Sequence, residues 1–86
     1  MEWKKRQDFE SAHFSNIKKR FGRNLRIIRV TQGLTQEELS FRSGLNRNYI
    51  SDTERGARNI SVVAISKLAD GLGVEIKELF YFERKE

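Results

Sequence analysis

Glycines divide this chain into short segments, and proline does not occur in it. The chain has 86 residues, six glycines and no proline. Four glycines each follow a segment of helical apolar periodicity, where a helix end favours a residue that tolerates positive φ. They are Gly33, Gly44, Gly56 and Gly73. The pattern predicts an all-α chain, and its length permits one small domain.

Apolar residues between the glycines predict where the helices lie. The predicted helices cover residues 17–32, 36–42, 47–55, 62–72 and 76–82. The side chains expected in the core from helices one, four and five are Ile17, Phe21, Leu25, Ile28, Val62, Ile65, Leu68, Ala69, Leu72, Ile76, Leu79 and Phe80. Ile27 and Val30 fall on the opposite side of helix one and need another cover.

A polar N-terminal extension precedes these segments. We divide the chain into this extension (residues 1–16), the helical domain (17–82) and a charged tail (83–86). Trp3, Phe9 and Phe14 are candidates to cover Ile27 and Val30. The basic residues of the extension are alternative candidates for phosphate contacts, and both interpretations stay open.

Composition excludes several classes of function. The chain has no cysteine and one histidine, so it has no disulfide, no thiol nucleophile and no cysteine or histidine-rich metal site. No apolar run reaches the roughly 18 residues of a membrane span, and no secretory signal is present. We therefore expect a soluble cytoplasmic protein without metal, cofactor, small-molecule ligand, membrane contact or enzymatic activity. Seventeen basic against twelve acidic residues, a net charge of +5, favour an anionic partner, nucleic acid first.

Two short helices joined by a glycine turn form the central feature. Thr35 and Glu38 have the spacing of a capping box, which predicts a helix start at residue 36. Gly44 ends that helix, and Asn46 is a good N-cap for the next one. This arrangement predicts a helix–turn–helix.

The second helix of this motif has one polar face. Its members lie within an arc of about 140° at 100° per residue. They are Arg47, Asn48, Ser51, Asp52 and Arg55. Arginine can bond guanine O6 and N7, and asparagine can bond adenine N6 and N7. Because both types stand at the start of the helix, the face is typical of a major-groove reader.

The chain resembles the Cro/C1-type (XRE family) helix–turn–helix proteins over residues 17–80. The matching segments are GLTQEEL (33–39), SGL (43–45), YIS (49–51) and ERG (54–56). Segments 46–51 and 58–61 are similar to those of the controller proteins of restriction–modification systems. The resemblance implies a compact five-helix, lambda-repressor-like DNA-binding domain.

The resemblance also implies roles for particular residues. Those implied to read bases are Arg47, Asn48, Ser51 and Asp52. Those implied to hold the DNA backbone are Gln36, Tyr49, Arg55, Arg58 and Asn59. Arg29 and Glu54 are implied to form a buried ion pair between helices one and three.

The chain departs from the family pattern at four positions. Thr53 stands where a large apolar residue is usual, so we expect a looser contact between helix three and the core. Ser40 replaces the usual alanine, which is harmless if its hydroxyl bonds a carbonyl. Ile60 stands where proline is common. Glu75 replaces the usual Ser or Asp cap, which predicts a weakly started last helix.

The C-terminal segment has more apolar residues than one short helix buries. Tyr81 and Phe82, with Val63, are left for a partner, and a two-fold homodimer is the simplest one. A dimer would hold two recognition helices about 34 Å apart, one helical turn of DNA. The alternative is packing against residues 1–16.

The function expected is that of a homodimeric transcription regulator. It would bind a pseudo-palindromic operator on double-stranded DNA and control a restriction–modification operon including its own gene. Two alternatives use the same fold: an antitoxin whose main task is to bind a toxin, and a general phage-type repressor.

Overall fold

The computed structural model describes the backbone of residues 3–82 and the side chains of residues 16–82. The helices are α1 (Trp3–Thr31), α2 (Gln36–Ser43), α3 (Arg47–Glu54), α4 (Val62–Leu72) and α5 (Ile76–Leu79). No strand occurs between residues 3 and 82. The predicted all-α class is confirmed, and the four glycines predicted at helix ends all have positive φ. No helix in this part of the chain is long and apolar enough to cross a membrane.

Helix α1 is longer than predicted, because it begins at Trp3 and not at Ile17. Apolar periodicity detects only the part of a helix that packs on a core. Residues 3–16 lack glycine and proline and are rich in Lys, Arg, Gln and Glu, which favour helix. The boundary drawn after residue 16 is therefore not a helix end. The side chains of Trp3, Phe9 and Phe14, and the tail 83–86, lie outside the described residues.

All five helices contribute to the core: α2 packs against α4 and α3, and α1 packs against α3 and α5. The buried apolar residues are Phe21, Leu25, Ile28, Leu39, Ile50, Ala64, Leu68, Ala69, Leu72 and Leu79. The expectation for Val62 is wrong: it is 80% exposed, because it opens α4 where the helix meets the preceding loop. Ile17 and Ile65 are half-buried at the edge of this core.

Helix α5 is shorter than predicted, and this changes what it buries. It ends at Leu79, and of the apolar residues predicted to fill the core from this segment only Leu79 is buried. Ile76 is 47% exposed, so its predicted place in the core is wrong. Phe80 is also exposed on one side, although its ring packs 5.0 Å from that of Phe21. A single turn of helix presents only one side chain inward.

A buried amide of α1 anchors α5. Asn24 Nδ2 donates to the carbonyl oxygens of Glu78 and Leu79, at 3.0 and 2.9 Å. These bonds satisfy carbonyls at the end of a helix that has no side-chain cap at its start, since Glu75 makes none. The weak start predicted from Glu75 is confirmed.

Backbone contact with α1 positions α3. A Cβ built on Gly22 would lie 2.2 Å from the Thr53 carbonyl oxygen, so only glycine permits this approach. Thr53 is buried, and its Oγ1 donates to the Tyr49 carbonyl at 2.7 Å. Thr53, Phe21 and Phe80 line a small apolar cleft, and the looser contact predicted between helix three and the core is limited to this cleft. Helix α3 packs closely against α1 despite the small side chain.

Candidate nucleic-acid interface

The start of α2 is fixed by two reciprocal hydrogen bonds. The Glu38 N–H donates to Thr35 Oγ1 at 3.0 Å, and the Thr35 N–H donates to Glu38 Oε1 at 2.8 Å. The predicted capping box is therefore present. The bond from the Thr35 backbone N–H is the first cause that lowers the pKa of Glu38. A fixed helix start determines the direction in which Gln36, the next residue, is presented.

The turn between α2 and α3 is built by three short side chains and a glycine. Gly44 has φ 76°, a conformation that other residues adopt at a cost. Ser40 Oγ donates to the Leu45 carbonyl at 2.6 Å, and Ser43 Oγ accepts from the Leu45 N–H at 3.1 Å. Asn46 Oδ1 accepts from the Asn48 N–H at 2.7 Å and caps α3. The angle between the two helices is thereby set.

A buried ion pair joins α1 to α3. Arg29 Nε and Nη2 donate to the two carboxylate oxygens of Glu54, at 2.6 and 2.9 Å, and the side chains are 10% and 4% exposed. Arg29 Nη1 also donates to the Leu34 carbonyl at 2.7 Å. The ion pair expected from the resemblance is present, and it locks the loop before α2 as well as α3.

The same carboxylate holds Gln36, which was expected to contact a phosphate. Gln36 Nε2 donates to Glu54 Oε1 at 3.1 Å. This bond was not predicted, because only the tertiary fold brings Gln36 and Glu54 together. It places the start of α2 beside the end of α3, so that one carboxylate organises both helices of the motif.

The residues at the start of α3 face solvent. Arg47 and Asn48 are exposed, whereas Ser51 and Asp52, one turn later, are half-buried. Asn59 in the following loop is also exposed. Arg47 and Asn48 therefore project from the N-terminal end of α3, the end with which recognition helices contact base edges.

Asp52 contacts two of the arginines expected to hold the DNA backbone. Arg55 Nη2 donates to Asp52 Oδ1 at 2.5 Å, and Arg58 Nη2 donates to Asp52 Oδ2 at 3.2 Å. Arg55 Nη1 also donates to Ser51 Oγ at 3.1 Å. The bond from Arg58 is the first cause that holds the pKa of Asp52 below its usual value. Asp52 and Arg55 are three residues apart on one helix, and opposite charges at this spacing often pair. The sequence could therefore have predicted the Asp52–Arg55 pair.

Tyr49 supports Arg58 from the other side. The Arg58 guanidinium lies 4.3 Å from the centre of the Tyr49 ring, within the range of a cation–π contact. The Tyr49 hydroxyl oxygen accepts from the Ser61 N–H at 3.2 Å. Arg58 Nε is buried and has no hydrogen-bond partner among the described residues. Tyr49 thus fixes the loop and the arginine that follows α3.

The residues expected at a dimer interface differ in exposure. Val63 is 64% exposed and Tyr81 is 56% exposed. Phe82 is half-buried and packs against its own chain, 6.2 Å from the Phe80 ring and 4.8 Å from the Arg20 guanidinium. Phe82 is therefore not among the exposed large apolar residues of the described side chains, which are Val30, Phe41, Val62, Val63, Ile76, Phe80 and Tyr81.

The arrangement offers hydrogen-bond donors and positive charge on two packed helices, which suits binding to an anionic partner. Among residues 16–82, no cluster of three or more His, Asp or Glu side chains could hold a metal ion. The chemistry available is recognition of an anionic backbone and of base edges.

Comparison with known proteins identifies the family. The helix–turn–helix family profile matches residues 25–79. The chain is 45% identical over 69 residues to the control protein C.BamHI of Bacillus amyloliquefaciens, covering 79% of this chain and 85% of that protein. It is 40% identical over 73 residues to the control protein C.MunI of a Mycoplasma species, covering 84% and 99%.

A solved structure agrees with these relatives. The restriction–modification controller protein C.AhdI from Aeromonas hydrophila superposes with a TM-score of 0.72 at 51% identity, covering 73% of this chain and 96% of that one. The profile match spans the ion pair, the capped turn and the exposed face of α3. This chain belongs to the XRE-type helix–turn–helix family and is a DNA-binding transcription regulator.

Proposed function

We propose that this chain is a homodimeric regulator that controls a restriction–modification operon, including its own gene, by binding a pseudo-palindromic operator. It acts in the cytoplasm on double-stranded DNA. The proposal is supported by similarity to two proteins named as control proteins and to a third named as a restriction–modification controller protein. The observation that carries it is the exposed pair Arg47 and Asn48 at the start of α3, which packs closely against α1.

In this proposal the residues of the interface divide by task. The residues assigned to base reading are Arg47, Asn48, Ser51 and Asp52. The residues assigned to the DNA backbone are Gln36, Tyr49, Arg55, Arg58 and Asn59. Backbone contacts supply affinity that falls steeply with salt, and base contacts supply sequence choice.

Enrichment of duplexes from a randomised pool tests the DNA function. The wild-type chain is expected to enrich an inverted repeat whose half-sites are about one helical turn apart. Its affinity for that repeat should fall linearly with salt on a log–log plot. If no sequence is enriched, or if binding does not change with salt, the proposal fails.

The operon assignment needs a second experiment. DNA from upstream of the chain's own gene is expected to contain the enriched repeat and to be protected by the protein in a footprint. A reporter driven by that DNA should respond to expression of the wild-type chain. Protection only at unrelated sites would contradict control of its own operon.

The homodimer is proposed to use exposed apolar surface on α4 and after α5. Val63 and Tyr81 are the most accessible of the three residues assigned to it, and Phe82 follows Tyr81 in the chain. A Val63→Asp, Tyr81→Asp variant should sediment as a monomer and bind the enriched repeat more weakly. Phe41→Asp is the matched control, since Phe41 is an exposed aromatic residue on α2. Equal sedimentation of the two variants would contradict the assigned interface.

A further inference from the structure

Basic and acidic side chains are mixed in α3 and the loop that follows it. Residues 47–59 contain three arginines and two acidic residues, while the chain has a net charge of +5. Residues 16–31 of α1, in contrast, contain six basic and no acidic residues. The segment assigned to DNA contact therefore carries acidic side chains, which residues 16–31 lack.

Of the two acidic residues in this segment, Asp52 is the one whose side chain reaches solvent. Glu54 is buried in its pair with Arg29 and is shielded from DNA. The Asp52 side chain is 30% exposed, and its two oxygens contact Arg55 and Arg58. Both arginines are more exposed than Asp52. The Asp52 charge therefore faces the same solvent as the arginines that it neutralises.

The two arginines do not depend on Asp52 alone for their positions. Arg58 stacks on the Tyr49 ring, and Arg55 also donates to Ser51 Oγ. Removal of the Asp52 charge would leave both guanidinium groups near their places. It would release them to phosphates of any duplex, because a phosphate contact carries no sequence information.

We propose that Asp52 is a specificity-determining residue that limits binding to non-cognate DNA by neutralising Arg55 and Arg58. On a non-cognate duplex, a phosphate must compete with the carboxylate for each arginine, and it is itself repelled by that carboxylate. On the operator, base contacts from the start of α3 offset this penalty. The proposal rests on the proposed DNA function and assigns Asp52 an electrostatic task in addition to any base contact.

The test compares Asp52→Asn with Asp70→Asn, which removes the same charge from an exposed position on α4. Affinity is measured by fluorescence anisotropy for a mixed-sequence duplex and for the repeat that the wild-type chain enriches. Asp52→Asn should bind the mixed-sequence duplex about fivefold more tightly than the control does, from the interaction of unit charges about 4 Å apart in water. Its ratio of operator to mixed-sequence affinity should fall.

The salt dependence gives a readout that a structural role would not change. Release of two arginines should steepen the slope of log K against log salt for the mixed-sequence duplex by about one to two. Asp52→Glu keeps the charge and should restore the wild-type slope and ratio. Thermal unfolding of each variant verifies that it is folded.

Three outcomes would overturn the proposal. Asp52→Asn could match Asp70→Asn on both duplexes, or it could weaken binding to both equally. It could also change preference at one base pair without a change on mixed-sequence DNA, which would make Asp52 a base reader only. Failure to enrich any repeat would instead contradict the proposed function, and the mixed-sequence comparison would still decide the role of Asp52.

Discussion

The buried ion pair between Arg29 and Glu54 makes the strongest prediction about stability. Glu54→Ala removes a carboxylate that accepts two bonds from Arg29 and one from Gln36. The Arg29 guanidinium would be left in the interior with the Leu34 carbonyl as its remaining acceptor among these partners. Loss of one partner of a buried pair costs about 3–5 kcal/mol in free energy of unfolding.

The magnitude is large for a chain of this size. Small domains unfold with about 5–15 kcal/mol, and each 1 kcal/mol corresponds to about 4–8 °C in Tm. Glu54→Ala should therefore lower Tm by roughly 12–40 °C, measured by circular dichroism during heating. Glu75→Ala is the control, because Glu75 is exposed and makes no side-chain capping bond, and it should change the free energy of unfolding by at most about 0.5 kcal/mol.

A second variant tests whether the stability lost in Glu54→Ala comes from an unpaired buried charge or from lost packing. Arg29→Met with Glu54→Leu removes both charges and keeps similar volumes, so it should be much more stable than Glu54→Ala. If Glu54→Ala is as stable as the Glu75→Ala control, the pair does not stabilise the fold. If the double variant is as unstable as Glu54→Ala, the buried charge is not the cause of the loss.

Three further predictions concern the supports of the motif. Gly22→Ala should lower the free energy of unfolding by about 3 kcal/mol in a urea titration, because its Cβ would meet the Thr53 carbonyl. Gly73→Ala is the control and should cost only about 1 kcal/mol, because the space around Gly73 is open. Equal costs would contradict the close approach of α1 and α3. Thr35→Ala should cost about 1 kcal/mol in the same titration, and no loss would mean that the capping box is not needed. Because the pKa of Glu38 is lowered, its carboxylate stabilises the fold at neutral pH, and this stabilisation is lost as pH falls through that pKa. The difference in free energy of unfolding between the wild type and Glu38→Gln should therefore shrink from about pH 7 to about pH 3. A constant difference would refute this.

The sequence predicted the elements that have strong local signals. Helix α4 was predicted with its observed bounds, because Ser61 caps its start and Gly73 ends it. The capping box at Thr35 and the turn at Gly44 were likewise local features. These signals depend on neighbouring residues in the chain, so they can be interpreted without the fold.

The prediction was wrong where tertiary packing decides the outcome. The early start of α1 was missed because residues 3–16 offer no apolar stripe, although their composition favours helix. Ile76 was placed in the core because its spacing suits a longer α5 than the one that forms. In the interface, the contact between Asp52 and Arg58 crosses the loop after α3, and sequence spacing alone gives no measure of that distance.

The central claim is that α3 selects the DNA sequence through side chains at its start. The most direct measurement compares wild type and Arg47→Ala on every single-base-pair variant of the enriched repeat. We predict that Arg47→Ala loses about 1–3 kcal/mol on the repeat and loses preference at one base pair in each half-site. If Arg47→Ala keeps the wild-type preference at every position, Arg47 does not read a base and the account of the interface is wrong.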